Sequence, residues 1–336
     1  MAERIRPSDK VVQENIKKWG IPQPDRDYTV LIHCTTYNHG KYIKDALEGF
    51  VMQKCSYSFC AIIIDDCSTD NNAEIIREYA EKYPDIIKPI LLGENHMQRG
   101  ILRDPYIEKW HQCAKYIAQC EGDDYWIDPY KLQKQVDFLE EHPDYGMVHS
   151  YFQYVNADKS LVENPEKLYV GIRERVRDGY IWGDYLRLRS GGYILTCTTC
   201  IRMPLKKERH FFDIGSFMGV ARTSKVFCLK EETAAYRRNI NGAMRSSPSN
   251  YYINLTYRVW LYQLYYYHTQ NHDAFYESDK ETKLNRSLAT IHVLIQYFKR
   301  VIPGEDKCVL RKVLQQEMPN LLRNIPLIFF NKLKRC

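Results

Sequence analysis

The chain has 336 residues, 44% hydrophobic and 27% charged, with a net charge of +6. That composition is ordinary for a globular protein of one to three domains and excludes a disordered or fibrous chain. The modest, dispersed positive charge does not call for a nucleic-acid partner, although it suits anionic ligands. No run approaches the ~20 apolar residues of a membrane span, and residues 1–20 lack the apolar core of a signal peptide, so a cytoplasmic location is expected. Eleven cysteines are present. Only Cys197-Thr-Thr-Cys200 has the spacing of a redox or zinc pair, and no second pair completes a tetrahedral site, so the thiols read as structural.

Residues 1–27 read as an N-terminal arm, with an amphipathic piece from Val11 to Trp19 and a proline-containing stretch, Ile21-Pro-Gln-Pro-Asp25. Tyr28 to Cys34 is a β-branched apolar run and a strand. It ends in a polar turn, Thr35-Thr-Tyr-Asn-His-Gly40. From Lys41 to Gln53 the apolar residues fall at helical spacing. The unit then repeats: strand Tyr57 to Ile64, turn Asp65-Asp66-Cys67-Ser68-Thr69-Asp70, helix Ala73 to Tyr83, strand Ile86 to Leu92. Two βαβ crossovers imply a parallel sheet. Neither turn holds Gly-x-Gly-x-x-Gly, and no Gly-x-x-x-x-Gly-Lys-Ser/Thr loop occurs.

Gly93 to Asp104 reads as a loop carrying Arg99 and Arg103, and Ile107 to Tyr116 as a helix. The acidic stretch Glu121-Gly122-Asp123-Asp124-Tyr125-Trp126-Ile127-Asp128-Pro129 follows. Adjacent carboxylates repel, and a hard divalent cation removes that penalty. The competing reading is an N-cap, with Asp123 or Asp124 starting a helix. A helix from Tyr130 to Glu141 and a strand from Gly146 to Val155 come next. Residues 156–192 form a variable loop plus one helix. Tyr193 to Met203 reads as a strand beneath the site, Phe211 to Ala221 as a helix and Val226 to Leu229 as a short strand. Thr233 to Arg238 leads into a glycine-containing loop. The composition shifts near 248, which divides a domain at 28–248 from a helical C-terminal region at 249–336. The last stretch, Ile325 to Arg335, is apolar and then basic, as in an interfacial anchor that makes peripheral contact with a membrane.

Thr35-Thr-Tyr-Asn38, Asp65-Asp66 and Asp123-Asp124 stand in this order at strand ends. The set resembles the family 2 glycosyltransferases over roughly residues 28–245. Asp65-Asp-Cys-Ser-Thr-Asp70 is similar to the family's Asp-Asp-x-Ser-x-Asp turn. Glu121-Gly-Asp-Asp124 is similar to its Asp-x-Asp-Asp motif, with Glu in place of the first Asp. The resemblance implies a GT-A-type α/β fold, mainly parallel and flanked by helices.

It also implies roles. Thr35, Tyr37 and Asn38 would line the nucleoside site, with Tyr37 against the base. Asp66 or Asp65 would accept from the uracil edge. Asp123 and Asp124 would reach the ribose and a Mn²⁺ or Mg²⁺ ion. The family's base lies twelve residues before a lysine that opens a strand ending in Tyr-Arg. Counting back from Lys225 gives Asp213, and Tyr236-Arg237 matches the Tyr-Arg pair near the diphosphate. Asp213 can equally cap a helix, and Arg237 can pair a nearby acid.

The activity implied is inverting, metal-dependent transfer from a nucleotide-sugar, a UDP-sugar by preference, to a saccharide or lipid-linked saccharide acceptor in surface-polysaccharide assembly. Two alternatives are a nucleotidyltransferase of related fold and a sugar-nucleotide-binding protein without turnover. The first needs a glycine-rich basic signature that Thr35 to Gly40 lacks.

Overall fold

The computed structural model describes residues 5–163, 178–179, 194–204 and 212–238, with isolated positions 287, 291, 315, 318, 319 and 322. Residues 2–181 and 192–239 form one compact unit, and residues 1, 182–191 and 240–336 form a second. The expected boundary at 248, the basic tail and nearly all of the C-terminal helical region lie outside the described residues, as does most of 156–192.

The first unit runs α1 (Asp9–Trp19), β1 (Tyr28–Thr36), α2 (Ile43–Val51), β2 (Phe59–Asp65), α3 (Asn72–Lys82), β3 (Ile87–Leu91), α4 (His96–Arg99), α5 (Asp104–Gln112), β4 (Ala114–Gln119), β5 (Tyr125–Trp126), α6 (Lys131–Glu141), β6 (Tyr145–Val155), β7 (Cys200–Arg202), α7 (Phe212–Thr223) and β8 (Lys225–Arg237). The strands form a mixed sheet in the order β3-β2-β1-β4-β7-β6-β8-β5. β3, β2, β1 and β4 are parallel neighbours. β7 is antiparallel to both β4 and β6, and β6 runs parallel to β8.

β1 is apolar without alternation because both of its faces are covered. Val30, Ile32 and Cys34 pack with Phe50 of α2, Ile76 of α3 and Leu132, Val136 and Leu139 of α6. Leu31 packs on the other face with Val12 of α1, Ile62, and Ile107 and Trp110 of α5. The domain is therefore a sheet between two helical layers, which is the α/β architecture expected.

Several boundaries differ from the pattern-based expectation, and α4 lies inside the stretch expected as a loop, Gly93 to Asp104. The helix expected to reach Tyr116 ends at Gln112, and β4 begins at Ala114. Tyr116-Ile-Ala118 is buried on both faces, and a short run of that kind carries no periodicity to separate strand from helix. The strand expected from Tyr193 to Met203 is a 3₁₀ turn, Thr196–Thr198, followed by the three residues of β7. β8 is one strand of 13 residues rather than two pieces. Its polar middle, Lys230-Glu-Glu232, lies where β6 and β8 shift register around Ser150 and Tyr151.

The described cysteines are all free thiols. Burial pushes the Cys197 thiol well up, and that of Cys200 up to about 12, which suits core packing rather than redox chemistry. Among the described residues no helix is long and apolar enough to cross a membrane.

His149 of β6 is fully buried, and burial depresses its pKa from 6.5 to about 3. Below pH 6.5 the unfolded chain gains a proton that the folded chain refuses. Stability is therefore whole above that pH and falls with acid by up to about 1.4 kcal/mol per pH unit toward the folded value. Urea titrations between pH 7 and 4 should show a shallower acid slope for His149→Gln than for the parent chain. Equal slopes would mean that the imidazole is charged in the fold.

Candidate active site

Two turns at the carboxyl ends of β1 and β2 are tied together by side chains. The Asp65 carboxylate accepts from the Ser68 amide (3.0 Å), the Ser68 hydroxyl and Asn72 Nδ2 (2.6 Å). Asn38, in the left-handed region at φ 53°, donates its amide to Ser68 Oγ (2.9 Å), and its Oδ1 accepts from the Thr69 amide (2.8 Å). The Gly40 amide donates to Asp70 Oδ2 (2.8 Å). Asn38 with Ser68 and Thr69, and Gly40 with Asp70, thus bind the two turns to each other, while Asp65 is committed to bracing its own turn.

Asp66 is also buried, at 2% exposure, but it faces a different segment. Its Oδ1 accepts from the His96 amide (2.9 Å) and its Oδ2 from the Met97 amide (3.0 Å), both at the start of α4. Gln98 Nε2 reaches the half-buried Tyr37 hydroxyl (3.4 Å). Tyr37 and Asp66 therefore share one short loop as neighbour, and each carboxylate oxygen keeps a lone pair for a further donor. Arg99 of the same loop is ion-paired on the surface with Glu94.

The acidic motif lies beside the first turn. The Gly122 amide donates to the Thr35 carbonyl (3.0 Å), and a Cβ on Gly122 would come within 2.7 Å of Thr36 Cβ. Asp124 is 3% exposed, and its Oδ1 accepts from the Arg237 backbone amide (2.8 Å). Burial, reinforced by the Asp123 charge, pushes the Asp124 pKa well up, and the Arg237 amide offsets part of that. Asp123 is partly exposed, with His39 Nε2 3.7 Å from its Oδ2. Neither acid caps a helix: α6 starts at Lys131, and its N-cap, Tyr130, makes no side-chain capping bond.

Among the described residues no three His, Cys, Asp or Glu side chains converge into a cation cage. Two adjacent carboxylates, one partly exposed and one buried, are nonetheless what Mg²⁺ or Mn²⁺ accepts when water and phosphate complete the shell. Asp123 and Asp124 would hold such an ion.

The Arg237 guanidinium does not stand at an open diphosphate site. Its side chain is 1% exposed, and Nη2 donates to Asp45 Oδ2 (2.8 Å). It lies between the rings of Tyr42 (4.6 Å) and Tyr125 (5.1 Å). Asp45 also binds Lys159 Nζ (2.6 Å). The acid-pairing alternative is the one observed, because the end of β8 is folded under these two rings. What Arg237 presents to the site is its amide.

Asp213 falls in the first turn of α7, and its side chain is outside the described residues. Lys225 opens β8 and Tyr236-Arg237 ends it, as the count from Asp213 supposed. Residues that sequence reasoning missed are Asn72, Tyr42, Asp45 and the α4 amides. Tyr42 and Asp45 carried a signal, since a spacing of three puts them on one helix face. The α4 contacts are backbone and carry none.

In an open α/β sheet ligands bind at the carboxyl ends of the strands, and the paired carboxylates stand there. Residues 32–218 match the Glycosyl transferase family 2 profile, and the chain belongs to that family. It is 43% identical over 109 residues to the uncharacterized protein Rv1520 of Mycobacterium tuberculosis, covering 32% of this chain and 31% of that one. It is 33% identical over 112 residues to the putative teichuronic acid biosynthesis glycosyltransferase TuaG of Bacillus subtilis, covering 33% and 42%. The matched stretch thus spans well under half the length of these relatives. In structure it is similar to Staphylococcus aureus TarS 1-349 in complex with UDP-GlcNAc, with a TM-score of 0.56 over 89% of this chain and 83% of that one. At 14% identity that similarity shows a common GT-A-like fold.

Removing Asp45 would strand the Arg237 guanidinium in the interior. Asp45→Ala should lower unfolding free energy by about 3 kcal/mol, as for other broken buried pairs. Urea denaturation checks this, and a loss under about 1 kcal/mol would mean that the pair is solvated like a surface bridge.

Proposed function

We propose that the protein is an inverting, metal-dependent glycosyltransferase that moves a sugar from a UDP-sugar to a saccharide or lipid-linked saccharide acceptor. The observation that carries this reading is the placement of buried Asp124 and partly exposed Asp123 beside the turn that bears Tyr37. The names of TuaG and of TarS, a poly(ribitol-phosphate) β-N-acetylglucosaminyltransferase, support a surface-polysaccharide acceptor. The UDP-GlcNAc complex of TarS supports a uridine donor.

In this reading Tyr37 stacks on the base, and Asp66 accepts from its edge. Thr35 and Asn38 line the nucleoside, and Asp123 reaches the ribose. Asp123 and Asp124 hold the cation, which when bound neutralises charge growing on the leaving diphosphate. Asp213 accepts the proton from the acceptor hydroxyl as its oxygen attacks C1. The C1–O bond to the diphosphate breaks with its electron pair staying on the phosphate. One base and no protein nucleophile give a single displacement with inversion. The basic tail, residues 325–335, would keep the chain at an anionic lipid surface where a lipid-linked acceptor lies.

The test is nucleotide release from UDP-, GDP- and dTDP-sugars with Mn²⁺ or chelator, followed by NMR of the product anomer. One UDP-sugar should turn over only with metal. Asp124→Asn should lose at least about 100-fold in kcat, the scale of a removed electrostatic stabiliser. Metal-independent release, or an unchanged Asp124→Asn, would overturn the reading.

A further inference from the structure

The segment Gly93–Leu102 supplies the two amides that satisfy Asp66 and the side chain that reaches Tyr37. It is capped locally, by Asn95 on the Gln98 amide (2.8 Å) and by left-handed Gly100, but it has few buried side chains to dock it on the core. Its helix, α4, is four residues long, and such a helix is not stable alone. Gly93, Met97, Gln98 and Arg99 are exposed, and His96 is its one fully buried side chain.

The N-terminal arm grips this segment at both ends. Trp19, the last residue of α1, lies so close on Gly93 that a Cβ there would strike the indole. The same indole stands edge-on to the His96 ring at 5.9 Å. Tyr106 closes on His96 from α5 at 5.2 Å, and its hydroxyl accepts from Asn15 Nδ2 of α1 (2.9 Å). At the other end the Ile5 amide donates to the Gly100 carbonyl (2.8 Å), and the Leu102 amide donates to the Ile5 carbonyl (2.9 Å).

The arm is itself well anchored. Ser8 caps α1 at one end and left-handed Gly20 at the other. Val12 and Ile21 are buried, and the Pro22 carbonyl accepts from Trp110 Nε1 (3.0 Å). All of these arm residues precede residue 32, where the family match begins.

We infer that the arm is a clamp for the donor-base loop, in which Trp19 and Ile5 act as positioning residues for Asp66. The inference rests on the proposed nucleotide-sugar reading. Buried Asp66 needs both α4 amides, since an unsatisfied buried carboxylate is costly. When the arm lets go, the loop opens, Asp66 loses its fixed partners and the base site loosens. Asp124 is held from another side, by the Arg237 amide at the end of β8, so the chemical step is spared.

The experiment uses the full chain with Trp19→Ala and, separately, Ile5→Pro. The second removes the amide donated to Gly100 and fixes φ in the bridge to Ile101, at a residue 65% exposed, so it leaves the core intact. Amide hydrogen exchange without nucleotide should quicken about tenfold at His96 and Met97 in both variants, while β1 and β2 stay protected. Titration with UDP should show affinity about tenfold weaker, and UDP-sugar turnover a raised KM with kcat within about twofold. Unchanged exchange at 96–97 would overturn the clamp. Faster exchange with unchanged UDP affinity would overturn its link to the base site. A parent chain that binds no nucleotide, with exchange still quickened in the variants, would instead overturn the nucleotide-sugar reading and this use of the clamp with it.

Discussion

A carboxylate buried next to a second carboxylate is the constraint on which this domain depends. Taking Asp124 out of water beside Asp123 is unfavourable on two counts, desolvation and like charge. The protein offsets part of this first with the backbone amide of Arg237, from the far end of the last described strand, then with the Cys197 side chain and the Arg237 charge. A backbone donor cannot be supplied by side-chain rotation, so the whole end of β8 has to be fixed. Asp45, Tyr42 and Tyr125 fix it by enclosing the guanidinium. A cation at Asp123 and Asp124 would remove what remains of the penalty.

The acids in the motifs divide their work by what they touch. Asp65 and Asp70 hold turns together through Ser68, Asn72 and Gly40. Asp66 is held by the amides of a loop that no side-chain pattern announces. Asp123 and Asp124 meet at the junction of β4, β5 and β8. Such a division explains why an acidic turn is not by itself a ligand site. A buried carboxylate already surrounded by three donors has little left to offer, whereas one held by two amides keeps lone pairs for a further donor.

The strands β1 to β3 and helices α2, α3 and α6 were legible because each carries its own period and is bounded by polar turns. The order of Tyr37, Asp66 and Asp123-Asp124 at strand ends was legible for the same reason. β4 was mistaken over Tyr116 because a doubly buried strand and a buried helix turn look alike over a few residues. Lys230-Glu-Glu232 hid the continuity of β8, since charge in mid-strand reads as a loop unless the bulge opposite it is known. Arg237 was read by its charge, yet what serves Asp124 is its amide, a group that every residue but proline owns. Contacts made by backbone atoms, including those of His96 and Met97, leave no trace in residue identity.

The two halves of the site are set apart by α2. The helix starts where the Tyr42 and Ile43 amides donate to the His39 carbonyl, within the nucleoside turn. Its first turn carries Tyr42 and Asp45 to Arg237, and through the Arg237 amide to Asp124. Further along, Gly49 packs so closely on the Trp126 backbone that a Cβ would lie 2.9 Å from its nitrogen. Trp126 is held in turn by its indole bond to the Cys197 carbonyl (2.9 Å). One helix of nine residues, about 14 Å long, therefore registers the turn after β1 against the acidic motif. Because α2 is packed on the sheet by Ile43, Ala46, Leu47 and Phe50, that spacing is a property of the core. Whatever occupies the site meets the Tyr37–Asp66 end and the Asp123–Asp124 end at a separation it cannot adjust. Adjustment is left to the segments outside this core, the α4 loop above all.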